Sequence, residues 1–334
     1  MTAKLDNIII VGQGAMGLLW YHHLSQVNVN SKQKVSLLAS DQALLSKEQL
    51  NSASYQFTRY QQNHAEDSQL NSQICYPTSY PLIYSQTADI NCAEVIILCL
   101  KSFHIADAIK KIAKDINPHC LVVLAHNGMG TLAEVVKLLP RQQAILTMLT
   151  THGSYRNTPL AVSHTGLGQS DIGLLAGEIS LSQQQQLTSQ LNCALPQVNF
   201  HQDIVKKQWL KLAINCVINP ITAIENIDNG EINNEKYSEQ ISSLLTEITA
   251  VSQAESIALL LSDLQLMVHK VAQATAKNCS SMRSDTLAGR STEIDYINGY
   301  IHRLGQQHNI ATPENTRLWQ QVLNLKGNAW KNSK

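Results

Sequence analysis

Residues 7–19 read NIIIVGQGAMGLL, and this stretch decides the fold. Ile8, Ile9, Ile10 and Val11 make a β-branched run of the length expected of a buried parallel strand. Glycines follow at 12, 14 and 17, a G-x-G-x-x-G, and an apolar helical pattern continues through Leu18, Leu19 and Leu24. The three glycines are expected to serve different purposes. Gly12 makes the tight turn, Gly14 lets the backbone approach a pyrophosphate, and Gly17 lets helix and strand pack closely. The helix N-terminus then offers N–H groups and a positive dipole end to phosphates. The glycine motif alone is a weak signal. Its position between a strand and a helix strengthens it against the bland alternative, a glycine turn without a ligand.

Beyond this stretch, residues 34–39 (KVSLLA) read as the second strand. The end of that strand normally chooses between NAD and NADP, and Ala39, Ser40 and Asp41 leave the choice open. Residues 46–90 are polar, with alternation over 54–60 that suggests short antiparallel strands or an insertion; His64 reads as a solvated surface histidine. Further strands are expected at 94–100, ending at Lys101, at 121–125, ending at His126-Asn127-Gly128, and at 144–151, ending at the 151–154 turn, with helices over 104–115 and from 131. In an open parallel sheet ligands bind at the carboxyl ends of the strands, and Gly12, Ser40, Lys101, Asn127 and the 151–154 turn all occupy such ends. Residues 155–202 read as a β-rich edge leading into a Gln-rich helix near 182–192. The expectation is an α/β fold: an N-terminal Rossmann-type doubly wound parallel sheet over 1–202 and a C-terminal all-helical domain over 203–330.

Within the second part, KLAINCVINPITAI at 211–224 places Lys211, Asn215 and Asn219 at i, i+4 and i+8, on one face of a helix among apolar neighbours. A polar stripe on a buried helix needs partners, supplied by a structural network or by a ligand. Pro220 is expected to kink the helix or end its first half, and Asn229-Gly230 marks a turn. Helices are expected at about 234–256, 263–278, 291–309 and from 314, with a loop at 280–282 and a partly inward Glu293.

The chain has 334 residues, 44% of them hydrophobic, with 25 basic and 25 acidic side chains, so no basic excess points to nucleic acid or an anionic membrane. Seven cysteines show no C-x-x-C and read as buried thiols, and twelve dispersed histidines show no metal-ligand spacing, although His22 and His23 are adjacent. Trp20, Trp209, Trp319 and Trp330 read as core or partly buried residues. Neither a signal peptide nor a transmembrane stretch is recognisable, which gives a cytoplasmic expectation; monomer and homodimer stay open.

These stretches together resemble the ketopantoate reductase (2-dehydropantoate 2-reductase) family. The matches are GQGAMG at 12–17, LK at 100–101, HNGMGT at 126–131, TTH at 150–152, KLAINCVINPITAI at 211–224, NGE at 229–231, SSM at 280–282, TEIDYING at 292–299 and PENTRL at 313–318, in family order. The resemblance implies reduction of 2-dehydropantoate to (R)-pantoate with NADPH, on the way to pantothenate and coenzyme A, in a cleft between the two domains. It implies that Gly12, Gln13, Gly14, Ala15, Met16 and Gly17 hold the pyrophosphate. Ser40, Lys101, Asn127, Ser154 and Glu293 would complete the cofactor set; the catalytic pair would be Lys211, as general acid, and Glu293, which helps order the site; and Asn127, Asn215, Asn219, Asn229 and Ser281 would bind substrate beside Lys211. A ligand carrying a carboxylate and a hydroxyl needs amide and hydroxyl donors, which that set offers. The family often has an arginine where Ser40 stands, so a base such as Lys34 or Lys47 is expected to take the extra phosphate if NADPH is used. The rival readings are a reductase of another branched 2-keto acid on the same scaffold, and a non-catalytic dinucleotide sensor, which would have lost Lys211.

Overall fold

The computed structural model describes residues 5–27, 34–40, 45–60 and 76–325. Asp41, His64, Cys75, Trp330, the side chain of Lys47 and the polar tail lie outside the described residues. The chain divides into two compact units, Met1–His126 with Glu134–Ile204, and Asn127–Ala133 with Val205–Lys334.

Unit 1 opens with β1 (Asn7–Val11), α1 (Ala15–Val27) and β2 (Lys34–Leu38). A short helix α2 (Lys47–Asn51), strands β3 (Ser54–Thr58) and β4 (Thr78–Pro81) and a helix α3 (Thr87–Asn91) follow. Then come β5 (Val95–Leu98), α4 (Ser102–Ile112), β6 (Leu121–Leu124), α5 (Leu132–Leu138), whose residues from Glu134 belong to this unit, and β7 (Ile145–Thr150). The unit closes with β8 (Gly153–Thr158), β9 (Ala161–Gly166), β10 (Ser170–Ala176), α6 (Leu181–Ala194) and β11 (Val198–Phe200).

Seven strands form the main sheet in the order β11-β10-β7-β6-β5-β1-β2. The run β2-β1-β5-β6-β7 is parallel, as the apolar runs require, because strands covered on both faces carry no polar alternation. The order reverses at β1, which lies between β2 and β5, so the glycine loop leaves the sheet at its topological switch point. The sheet is not parallel throughout: β10 runs antiparallel to β7, and β11 parallel to β10. Local pattern could not decide this, since a strand's direction is set by its partner across the sheet, here Ser170 against Thr150.

The polar region holds β3 and β4, which pair antiparallel as the alternation over 54–60 suggested. They join β8 and β9 in a second sheet ordered β4-β3-β9-β8. Its inner face packs on α1 around Tyr55, Phe57 and Val162, next to Trp20 and Tyr21. Four histidines gather in this layer. His22 stacks on Phe57 at 3.5 Å between ring centroids and shares a hydrogen bond with the Tyr55 hydroxyl at 2.8 Å. His23 lies 5.4 Å from His164, which lies 5.7 Å from His152.

Burial lowers the pKa of His22 to about 3, and those of His23 and His152 to about 4; neighbouring histidines and, for His22 and His23, Arg59 push the same way. His164 is lowered too, again by burial, against a bond from its ring to the Gly166 carbonyl. These imidazoles are neutral in the fold and protonate more readily in the unfolded chain, near pH 6.5. Their stabilising contribution is therefore complete above pH 6.5 and is lost as pH falls towards 4. Each histidine that stays neutral in the fold adds a slope of up to about 1.4 kcal/mol per pH unit. Urea unfolding should show stability falling between pH 6.5 and 5, before most carboxylates titrate; a flat profile there would contradict neutral histidines in the core.

Unit 2 is helical beyond the Asn127–Ala133 segment, which ends on the first two residues of α5. It contains α7 (Ile204–Glu225), from Val205 onward, α8 (Ser238–Ala254), α9 (Leu261–Ala274), α10 (Ser281–Leu287), α11 (Asn298–Gln307) and α12 (Pro313–Leu325). Its core includes Trp209, Val217, Leu244, Ile248, Val268 and Ile301. Two expectations are corrected and a third is narrowed. Residues 280–282 start a helix rather than a loop, because the Ser280 hydroxyl caps it by accepting the Arg283 N–H at 3.1 Å. The expected helix over 291–309 begins only at Asn298, after a 3-10 turn over Ile294–Tyr296. Of the two outcomes expected at Pro220, a kink or an end of the helix's first half, the second is excluded, because α7 runs on to Glu225.

Of the described cysteines, Cys99, Cys120 and Cys216 are buried, whereas Cys92, Cys193 and Cys279 are exposed. Trp20 and Trp209 are core residues and Trp319 is half-buried. Among the described residues no helix is long and apolar enough to cross a membrane, and no group of three or more metal-ligating side chains is arranged to hold an ion.

Candidate active site

In unit 1 the loop after β1 is built as its glycines require. Gly12 has φ +108°, and its N–H donates to the Leu38 carbonyl at 2.9 Å, tying the loop to the carboxyl end of β2. A Cβ on Gly17 would stand 1.9 Å from the Gly12 carbonyl oxygen, so only glycine lets α1 close on the loop. Gly14 differs: the nearest atom to an added Cβ is the Cys99 carbonyl oxygen at 3.8 Å, an ordinary contact. Packing of the described chain does not demand glycine there, and the space that it leaves is a cradle that a side chain would begin to fill. Gly14 also accepts the first helical bond of α1, from Leu18 N–H at 3.0 Å, so the N–H groups following it have no partner within the helix. The loop therefore fits the diphosphate of a dinucleotide.

The other loop positions are braced by the chain. The Gln13 amide donates to the Pro159 carbonyl at 3.0 Å and accepts from the Tyr84 hydroxyl at 3.1 Å. Arg156 donates to the Gln13 carbonyl at 2.9 Å, which brings a guanidinium to the loop from β8. Ser154 donates to the Met16 sulfur at 3.0 Å. Ala15 starts α1 and is partly buried against the core. Lys101, half-buried at the end of β5, is the N-cap of α4, and Ser40 is exposed in the turn after β2.

The expectation for Lys34 is corrected. It begins β2, at the amino end and so opposite to Ser40, and it pairs with Asp89. The histidine of the TTH stretch is structural: His152 is buried, accepts the Gly168 N–H at 3.1 Å and meets the Trp20 ring edge-on.

In unit 2, α7 carries Lys211, Asn215 and Asn219 on one face, as their spacing requires; the first two are half-buried and Asn219 is buried. Asn127 donates to Oε2 of Glu293 at 3.4 Å, bringing together two residues far apart in sequence. The loop around Asn127 is held against the 3-10 turn: Met129 N–H donates to the Tyr296 carbonyl at 2.8 Å, and a Cβ on Gly128 would collide with that carbonyl. Glu293 is only 4% exposed, further inward than its neighbours in sequence suggested.

Asn229 is also buried. Its amide donates to the Thr275 hydroxyl at 3.0 Å, while its Oδ1 is buried with no hydrogen-bond partner. One amide hydrogen of Asn229 is thus engaged by Thr275, and its Oδ1 offers an acceptor beside the donor that was expected. Ser281 is exposed at the first position of α10, while its neighbour Ser280 is buried and accepts from Thr222 of α7 at 2.8 Å. Arg283 bonds Asn226 and Asp228, so the turn before Asn229 and the start of α10 are joined. Sequence pattern gave no sign of Arg156 and Arg283, since an isolated arginine carries no periodic signal.

Comparison with known proteins adds independent findings. Residues 8–177 match the family model described as ketopantoate reductase PanE/ApbA, and residues 203–326 match its C-terminal model. A 2-dehydropantoate 2-reductase of Vibrio cholerae is 32% identical over 96% of this chain and 97% of its own length. The Escherichia coli O157:H7 protein of the same name is 38% identical over 69% of this chain and 73% of its own. Among solved structures, D-mandelate dehydrogenase with NADH and anilino(oxo)acetate superposes with a TM-score of 0.82 at 21% identity, covering 97% of this chain and 99% of that one. A PanE/ApbA family ketopantoate reductase from Ralstonia eutropha gives 0.80 at 21% identity over the same shares. At such identity these likenesses establish the fold alone.

Proposed function

The chain belongs to the ketopantoate reductase family, and from that premise we propose that it reduces 2-dehydropantoate to (R)-pantoate with NADPH. The observation that carries the reading is the α7 face: an ammonium and two amides at one-turn intervals, on a helix otherwise committed to a core. When bound, the reduced nicotinamide supplies a hydride to C2 of the keto acid.

The residues have these roles. Negative charge grows on the C2 oxygen as hydride arrives, and the Lys211 ammonium stabilises it and delivers the proton, which completes the alcohol. Asn215 and Asn219 orient the substrate's carboxylate and carbonyl from the same face, and Ser281 adds a hydroxyl. Asn229 Oδ1 accepts from the substrate's hydroxyl, the donor that this buried oxygen lacks. Glu293 holds the Asn127 amide, so that Asn127 faces cofactor and substrate in one orientation. In unit 1 the segment 12–17 holds the diphosphate, Lys101 and the backbone at Ser154 contact the nicotinamide half, and Ser40 contacts the adenosine ribose. Arg156, held on the Gln13 carbonyl, brings its positive charge to the diphosphate, while Lys34 is engaged at the far end of β2.

Steady-state reduction with NADPH and NADH, followed at 340 nm, tests this reading. Ketopantoate should be reduced with preference for NADPH. The analogue without the hydroxyl, 3-methyl-2-oxobutanoate, should lose about 100-fold or more in kcat/KM, because it leaves the Asn229 acceptor unsatisfied. Arg156→Ala should weaken NADPH and NADH alike, by about tenfold, because the diphosphate is common to both. Failure to reduce ketopantoate with either cofactor would defeat the proposal, and equal use of the analogue would move the assignment to another branched 2-keto acid.

A further inference from the structure

A proline in the interior of α7 leaves one carbonyl without its helical donor. Pro220 has no N–H, so the carbonyl of Cys216, four residues earlier, cannot make the regular bond. Cys216 is fully buried, so water does not replace that donor. The replacement comes from Asn298, the first residue of α11, whose Nδ2 donates to the Cys216 carbonyl at 2.9 Å. The same nitrogen donates to Oδ1 of Asn315 at 3.0 Å. Two acceptor oxygens converge on it, so only the nitrogen end of the amide fits there, and Oδ1 of Asn298 is left buried without a partner.

Asn315 is itself held from two sides. Its Nδ2 donates to Oε2 of Glu247 at 2.8 Å and its backbone N–H to the same oxygen at 2.9 Å. The other carboxylate oxygen of Glu247, a buried residue of α8, accepts the Glu314 N–H at 2.8 Å and so caps the first turn of α12. A chain of hydrogen bonds thus runs from the Glu247 carboxylate through Asn315 and Asn298 to the gap in α7.

The gap has a telling place. The missing bond would have clasped the turn between Asn215 and Asn219, and Asn219 immediately precedes Pro220. An alanine at 220 would close the helix with no outside help, yet the chain uses a proline and a buried amide. Violations of local preference of this kind gather at functional positions.

We propose that Asn298 is a positioning residue for the reaction: its amide replaces the N–H that Pro220 lacks and so fixes Asn219 relative to Lys211 and Asn215. This rests on the reading that the α7 face binds the keto acid. Asn298 touches no reacting atom; it acts through α7.

The test is a cycle of Asn298→Ala, Pro220→Ala and the double variant, with kcat, the KM for ketopantoate, the Kd for NADPH and the melting temperature measured for each, all kinetics well below melting. Asn298→Ala should raise the KM about tenfold or more while the NADPH Kd stays within about twofold, a split that general destabilisation does not produce. In the double variant the alanine at 220 brings its own N–H to the Cys216 carbonyl, so most of the KM and of the melting temperature should return. If Asn298→Ala does not fold, the double variant still decides, since it should fold and bind substrate. Unchanged KM in Asn298→Ala, or a double variant no better than Asn298→Ala, overturns the inference. A wild-type chain that reduces no ketopantoate defeats the underlying reading instead, and the inference falls with it.

Discussion

Lys211→Ala is expected to lower kcat for ketopantoate reduction by about 100- to 10,000-fold, the range typical of a lost general acid. The expectation follows from the position of the residue. Lys211 stands half-buried on α7, one turn before Asn215 and two before Asn219, so removing its ammonium leaves the amides to bind substrate without an acid. The Kd for NADPH should stay within about twofold, because the glycine loop belongs to the other unit. Lys211→Arg separates charge from proton delivery. A guanidinium keeps the positive charge but does not release its proton near neutral pH, so this variant should bind the keto acid and remain slow. Turnover of Lys211→Ala within about threefold of wild type would remove Lys211 from the acid role.

The second large effect divides two glycines that a motif treats alike. Gly17→Ala places a methyl group 1.9 Å from the Gly12 carbonyl, a backbone atom that cannot yield without moving the loop or the helix. It should destabilise the protein by about 3 kcal/mol or more, within the range for overpacking a close backbone contact, and abolish dinucleotide binding. Gly14→Ala meets nothing closer than 3.8 Å and should melt within a few degrees of wild type. It should nonetheless weaken NADPH binding by about tenfold or more, because the methyl group occupies the space through which the backbone approaches the pyrophosphate. Titration of NADPH fluorescence with both variants, beside thermal melts, distinguishes them. Gly14→Ala with wild-type affinity would mean that the diphosphate does not pass over that residue.

Much of the fold was legible because it is written in short-range pattern. The run Ile8–Ile9–Ile10–Val11 ahead of three spaced glycines could only be a strand feeding a helix, and β5, β6 and β7 repeat the buried-strand pattern. The face shared by Lys211, Asn215 and Asn219 follows from helical periodicity alone. Boundaries were less legible where capping decides them: Ser280 and its bond to Arg283 turned an expected loop into α10.

Which residues are candidates for the chemistry, and on which local elements they sit, is already fixed in the linear chain, because strands, helices and glycine turns depend on neighbours a few positions apart. How those residues are partnered is a property of the folded molecule. The Asn127 contact with Glu293 spans 166 positions, and the bond from Asn298 to Cys216 spans 82. The gathering of His22, His23, His152 and His164 depends on which strands the second sheet brings to α1. The same holds for Asn229, whose amide is taken by Thr275 and whose oxygen is left as an acceptor. A side chain's hydrogen-bond partner depends on which distant backbone packs against it, and local periodicity carries no record of that.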